Sequence, residues 1–308
     1  MKNVLFLGNG FSRKVFSGMP SWQNLFKNIP SSIKNYTILY ETSLLSDTVV
    51  DEAKTKKTLI EKIRETISLK NIDDSIQGLN LFGKKLKENN ISDIITTNYD
   101  QGLDLILCEK CGYTKVEDSS AHKETIYSIR TYSEYENKEL QHKIKIWKIH
   151  GELDRVKSIM LGYDQYCGSL AKLSEYIKGT YRSNSGVTCK RSIVEKCKEN
   201  SFDGISWAEL FFNANIYIVG FGMDFSEIDI WWLLNKRARV KKALPVINNR
   251  IRYLYSNEFD NRSEKKEILE ALGAFNVESK GINYDNHFID NIFNEVVISR
   301  SFSDLSRI

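Results

Sequence analysis

The sequence predicts an α/β fold, a mainly parallel sheet with helices on both faces, and three observations carry that prediction. Short β-branched or aliphatic runs alternate with amphipathic helical stretches, the alternation that builds a parallel sheet covered on two sides. Several of these runs stop abruptly at glycine or at a cluster of hydrogen-bonding side chains, as strands do where an open sheet binds ligands. Composition is that of an ordinary globular chain, 41% hydrophobic and 27% charged with only 3 prolines, which excludes disordered and fibrous classes.

The elements follow in chain order. Residues 4–7 read as a buried strand that breaks at Gly8-Asn9-Gly10-Phe11-Ser12. Strand, glycine turn and helix open a nucleotide-binding unit, because glycine admits positive φ and a helix start offers free N–H groups to an anion. The third glycine of the dinucleotide fingerprint is missing, Arg13 standing in its place, so the turn alone is also compatible with no function. Gly18-Met19-Pro20-Ser21-Trp22 bends the chain, and Trp22 starts a helical pattern in which it can equally be a core anchor. Residues 28–90 are helical in character; 54–69 repeat Leu59, Ile60, Ile63 and Ile67 at helical spacing opposite a charged face.

Residues 91–95 form a second short buried strand, and Thr96, Thr97, Asn98, Tyr99 and Asp100 then stand where it ends. Thr97 or Asn98 can bind a ligand there or simply cap the helix that begins after Gly102; Asp100 has the same capping alternative. A polar connection containing a possible strand at 125–129 leads to 144–149, whose strict alternation marks a half-buried strand ending at His150-Gly151. Residues 165–205 and 207–212 are mostly helical. Residues 215–219 are a strand running into Gly220-Phe221-Gly222-Met223-Asp224. A helix at 228–236, a basic patch at 236–242 read as a solvated face, a strand at 251–255, a helix at 263–272 and a strand at 275–277 complete the series. The whole chain, 1–308, reads as a single domain with helical insertions at about 28–90 and 165–205.

Net charge is +4 with interleaved signs, too small a surplus to expect direct nucleic-acid binding. The apolar run at the start stops after about five residues, short of a signal peptide's core, and no run approaches the ~18 residues of a membrane span. A cytoplasmic protein without membrane contact is the expectation. The five cysteines, Cys108, Cys111, Cys167, Cys189 and Cys197, read as free thiols; Cys108 and Cys111 have half of a zinc spacing with no second pair, so no metal is expected.

Four turns thus lie at strand ends that a parallel sheet gathers on one edge. Their order resembles the sirtuin-like family, and more closely its branch of NAD+-consuming bacterial anti-phage defence proteins. Gly8, Asn9, Gly10, Phe11 and Ser12 match the phosphate turn; Thr97, Asn98 and Asp100 match the Asn-x-Asp element; His150-Gly151 matches the catalytic His-Gly; and Gly220, Phe221, Gly222 and Asp224 match the late glycine turn. Gly18 to Trp22 and Tyr163-Asp164-Gln165-Tyr166 are similar to features of the defence branch. The resemblance implies a Rossmann-like fold and NAD+ as substrate, with Asn98 and His150 catalytic and the turn residues and Trp22 binding the dinucleotide. It also implies a homo-oligomer and a separately encoded regulator such as a ring-forming ATPase. The two Cys-x-x-Cys pairs of deacylating sirtuins are missing, which favours plain NAD+ cleavage over protein deacylation; a non-catalytic NAD+ or ADP-ribose sensor is the other reading.

The chemistry fits the residues. Nicotinamide on ribose is a charged pyridinium and leaves without a strong acid, so the site must hold the sugar and direct a water to the anomeric carbon. A histidine titrates near working pH and suits the general base. An asparagine can both donate to and accept from ribose hydroxyls or water. His122, His142 and His287 have no comparable setting.

Overall fold

The computed structural model describes residues 1–21, 24, 60–61, 64–65, 72–116, 124, 126–160, 162–183, 186–258 and 263–305. Trp22 and most of the stretch expected as the first helical insertion lie outside the described residues.

One eight-stranded sheet organises the chain: β1 Lys2–Leu7, β2 Ile91–Thr96, β3 Thr114–Lys115, β4 Ser133–Asn137, β5 His142–Lys148, β6 Ala214–Val219, β7 Ile251–Ser256 and β8 Val277–Ile282. Their spatial order is β3-β4-β5-β2-β1-β6-β7-β8. From β5 to β8 every neighbouring pair is parallel, and β3 and β4 add an antiparallel edge. The central strand shows why the apolar runs are continuous. Val4 and Phe6 of β1 pack into one core with Ile95, Trp147, Ile216 and Ile218, while Leu5 and Leu7 pack into a second with Ile94, Ile146 and Val219. A strand buried on both faces has no polar side to alternate with.

The described helices are α1 Asn9–Val15, α2 Phe82–Glu88, α3 Gly102–Leu105, α4 Tyr163–Lys178, α5 Ile193–Glu199, α6 Leu210–Asn213, α7 Ile228–Ala243, α8 Ser263–Ala274 and α9 Phe288–Leu305. Leu173, Leu233 and Leu234 from α4 and α7 cover the first core; Phe82, Phe288 and Ile292 from α2 and α9 cover the second. Local chemistry sets the ends. Ser192 Oγ accepts the Glu195 N–H at 3.3 Å and Glu195 Oε2 accepts the Ser192 N–H at 2.7 Å, a reciprocal cap that starts α5.

Three sequence expectations change. Residues 126–129 are not a strand: the carbonyls of Ser128 and Ile129 accept from the Trp207 indole (2.9 Å) and the Ser206 hydroxyl (2.7 Å) instead of from a neighbouring strand. The last strand starts at Val277, since α8 runs to Ala274 and Asn276 turns the chain with φ 58°. The basic patch is not wholly solvated. Arg237 is fully buried, donating to Asn249 O at 2.7 Å and to Asn249 Oδ1, while Asn249 Nδ2 donates to the Phe211 and Ala214 carbonyls. Among the described residues no helix is long and apolar enough to cross a membrane.

Candidate active site

The first and last of the four turns are built into each other. β1 and β6 are adjacent, and beyond them Gly8 N–H donates to Val219 O (2.9 Å) and Gly10 N–H to Gly220 O (2.7 Å). A Cβ on Gly8 would stand 2.6 Å from Gly220 O, and one on Gly10 2.8 Å from the same atom. The expected reason for these glycines was positive φ and approach to a phosphate. Positive φ is not what Gly8 supplies, its φ being −96°, and both glycines let a second backbone turn come close. The positive φ belongs to Gly220, at 64°. Phe11 and Phe221 send their rings inward, Phe11 between Phe82 and Phe288 and Phe221 stacked on Phe6 at 4.9 Å. Asn9 is half-buried at the helix start and Gly222 is exposed. Asp224 accepts the Ser226 N–H at 2.8 Å, and its carbonyl takes the Trp231 indole N–H at 2.9 Å, so it shapes the loop entering α7.

At the end of β2, Thr96 Oγ1 donates to Leu7 O (2.7 Å) and accepts the Asn98 N–H (3.1 Å), which fixes the chain as it leaves the sheet. Asn98 Nδ2 donates to Ser12 Oγ at 2.9 Å. Its other amide atom, Oδ1, is buried with no hydrogen-bond partner. Such an atom calls for a donor. Thr97 is buried beside it. Asp100 Oδ1 accepts the N–H of Gly102, the first residue of α3, at 2.7 Å, whereas the Asn98 side chain turns to Ser12. Burial pushes the Asp100 carboxyl pKa up in spite of that bond and of nearby Lys148. Lys148 is itself buried, donating to Asp100 O at 3.0 Å and pairing with Asp104 Oδ2 at 2.8 Å.

At the end of β5 the chain continues its pairing with β2 through Ile149 N–H to Thr96 O (2.9 Å), then turns at Gly151, φ 98°. Any Cβ there would lie 2.2 Å from Ser158 O. His150 is 1% exposed. Its Nε2 lies 3.0 Å from Asp229 Oδ2 and its Nδ1 3.7 Å from Glu227 Oε2. Tyr166 presents its ring edge-on at 5.3 Å and donates its hydroxyl to Glu227 Oε2 at 3.3 Å. Tyr99 reaches the same region, its hydroxyl donating to Met160 O while the Met160 N–H donates to His150 O at 3.0 Å. In the order β5-β2-β1-β6, the His150–Asp229 contact joins segments that follow the two outer strands. Asn98 and Ser12 follow the two inner ones. The structure therefore brings the amide and the imidazole to one sheet edge, with Asn98 held by Ser12 and His150 held by Asp229.

Glu227, Asp229, Tyr166 and Tyr99 are absent from the site residues read from the sequence. The available signal was Glu227-Ile228-Asp229, two acids flanking a helix start directly after a glycine turn, which also suits the helix dipole and so pointed nowhere in particular. Among the described residues, His150, Glu227 and Asp229 are the group whose metal-ligating atoms gather within 4.8 Å of one another. Within it only Nε2 and Asp229 Oδ2 are at hydrogen-bond distance, and Glu227 faces Nδ1 from 3.7 Å.

Its titration follows. Burial pushes the Glu227 carboxyl up to about 7, against the pull of His150 and with the push of Asp229. For His150 burial acts downward, and the charges of Asp229 and Glu227 with the Asp229 hydrogen bond outweigh it, leaving the imidazole pKa above its usual value. Both groups hold protons more tightly folded than unfolded, so their stabilisation is complete at acid pH and is lost as pH rises through the folded values. For Glu227 the window runs from 4.5 to about 7. Glu227→Gln should flatten the fall in unfolding free energy across that window, read by denaturant titration at several pH values. An unaltered slope would contradict the cluster.

Residues 92–274, more than half of the chain, match the family model described as SIR2-like domain. The chain belongs to the SIR2-like domain family. The matched interval of this SIR2-like protein contains Asn98, His150, Glu227 and Asp229, while the β1–α1 turn lies before it. A solved structure described as "Structural Basis for the Mechanism and Regulation of Sir2 Enzymes" is similar at 11% identity, over 97% of this chain and 93% of that one, with a TM-score of 0.38. No curated protein matches the chain.

Proposed function

We propose that this SIR2-like protein is an NAD+ hydrolase, a glycohydrolase that releases nicotinamide and leaves ADP-ribose. Family membership supports a sirtuin-related NAD-dependent enzyme. The observation that carries the finer reading is Asn98, whose amide nitrogen is fixed by Ser12 while its buried carbonyl oxygen has no donor, on the sheet edge that also bears His150. A ribose hydroxyl or a water is the donor that atom lacks. In this reading Asn98 orients the oxygen that attacks, His150 takes its proton, and the pyridinium supplies its own leaving group. The remaining turn residues, Gly8, Asn9, Gly10, Ser12, Thr97, Gly222 and Asp224, frame the dinucleotide, with Phe11, Phe221 and Asp100 acting through the backbone they hold. Residues 1–308 form one NAD-binding domain with its helical insertions.

The resemblance to the defence branch supports the biological setting: NAD+ depletion against phage, in the cytoplasm, by a homo-oligomer held off by assembly or by a separately encoded partner such as a ring-forming ATPase. Incubating purified protein with NAD+, alone and with candidate activators, and following the products by chromatography tests the activity. Nicotinamide and ADP-ribose should appear in equal amounts. NAD+ left intact under every condition would overturn the hydrolase, binding without turnover would identify a sensor, and release that needs an acyl-lysine peptide would identify a deacylase.

A further inference from the structure

We propose that Asp229 and Glu227 are positioning residues for His150: Asp229 fixes the imidazole with its proton on Nε2 and leaves Nδ1 to accept a proton, and Glu227 holds the charge that then forms. The reaction assigned to this device rests on the NAD+ hydrolase reading, whereas the tautomer and the charge pairing do not.

The geometry is that of an oriented base. At 3.0 Å, Nε2 and Asp229 Oδ2 share a hydrogen bond, and the second carboxylate oxygen is also anchored, accepting the Ile230 N–H at 2.9 Å. Both oxygens of Asp229 are thus engaged, one by the ring and one by the backbone. An ionised carboxylate only accepts, so the shared proton sits on Nε2 and the lone pair sits on Nδ1. The 3.7 Å from Nδ1 to Glu227 is too long for a hydrogen bond, which leaves that lone pair open, yet short enough for strong attraction once the ring is positive. Glu227 is steadied by the Tyr166 hydroxyl. Among the described residues, the titratable groups that face the ring are Glu227 and Asp229 at the start of α7 and Tyr166 from α4; Asp224 before α7 acts on Glu227, and Tyr99 after β2 feels both acids. None of these is a cation, so the imidazolium would be the positive charge between two buried carboxylates. In hydrolysis a water proton passes to Nδ1, the water oxygen bonds the anomeric carbon, and the breaking C–N pair departs with nicotinamide. A base held in one tautomer by an acid on its far nitrogen is how buried histidines are made to face one way.

Asp229→Asn keeps the shape and removes the charge. The neutral form of His150 is the base, so the acid limb of the kcat/KM profile should sit above pH 6.5, the ordinary imidazole value, in the wild type. In Asp229→Asn that limb should move to lower pH by about one unit or more and kcat should fall about 100-fold. A residue that merely supports the fold would lower the rate without moving the limb. The second readout is independent of turnover: ring ¹⁵N chemical shifts of His150, identified among the 4 histidines by comparison with His150→Gln. They should show the Nε2–H tautomer and a raised pKa in the wild type, loss of both in Asp229→Asn, and a lowered pKa with the tautomer kept in Glu227→Gln. Should Asp229→Asn fail to fold, Glu227→Gln carries the test by itself. Identical tautomer and titration in the wild type and the folded variants would overturn the proposal. The expected shifts in a protein that leaves NAD+ intact would support the device and defeat the hydrolase reading alone.

Discussion

His150→Ala should reduce nicotinamide release by about 100- to 10,000-fold, the range a positioned acid–base group contributes. The substitution also removes the partner of Asp229 Oδ2 and leaves Glu227 and Asp229 together without a cation. Breaking a buried charge pair by deleting one member costs about 3–5 kcal/mol, so the variant should be measurably less stable at neutral pH. Acidification lets Glu227 take a proton and returns part of that loss, which separates the structural cost from the catalytic one. Turnover must stay low at the acid pH where the fold is recovered. Asn98→Ala should give a comparable loss of kcat with a smaller effect on stability, because it deletes one hydrogen bond to Ser12 and an oxygen with no partner. A folded variant of either residue that retained the wild-type rate would strike that residue from the mechanism.

Gly220→Ala should be strongly destabilising. Gly220 has φ 64°, and a Cβ there would sit 2.2 Å from the Phe11 nitrogen and 2.8 Å from the Gly10 carbonyl carbon. Both obstacles are backbone atoms of the opposing turn and cannot rotate away. Left-handed φ alone costs an alanine of order 1 kcal/mol, and the clash must also break the 2.7 Å Gly10–Gly220 hydrogen bond. We expect at least ~3 kcal/mol of destabilisation by denaturant titration. The control lies two residues on. Gly222 has open space around its Cβ position, and Gly222→Ala should stay within about 0.5 kcal/mol of wild type. Equal effects at the two positions would mean that the two turns do not interlock.

The contrast between these glycines shows what a sequence exposes and what it hides. Strands β1, β2 and β6 were legible because each is a short apolar run cut off by a turn, and burial on both faces leaves that signature intact; β5 was legible from its alternation. Asn98, His150 and the glycine turns were legible as candidates because they stand at the ends of those runs. The reasons for the glycines were not legible: Gly8 and Gly10 accommodate Gly220, a partner more than two hundred residues away. Residues 126–129 have strand-like composition, yet the Trp207 and Ser206 side chains claim their carbonyls. Arg237 reads as one more surface cation until the Asn249 loop closes over it. The acids around His150 were hidden for the same reason, since Glu227 and Asp229 acquire their meaning only when the segments after β5 and β6 meet.

The placement of β1 has a consequence for how the chain is made. Asn3 on β1 and Asn215 on β6 bond side chain to side chain across 212 residues of sequence. At ribosomal rates of ~5–20 residues per second, one edge of β1 waits about 10–40 s for its partner to be synthesised. Pairing of such distant segments is intrinsically slow, and the waiting edge is apolar on both faces. Until β6 has been made, that edge of β1 has no native partner, and the centre of the sheet closes only late in synthesis.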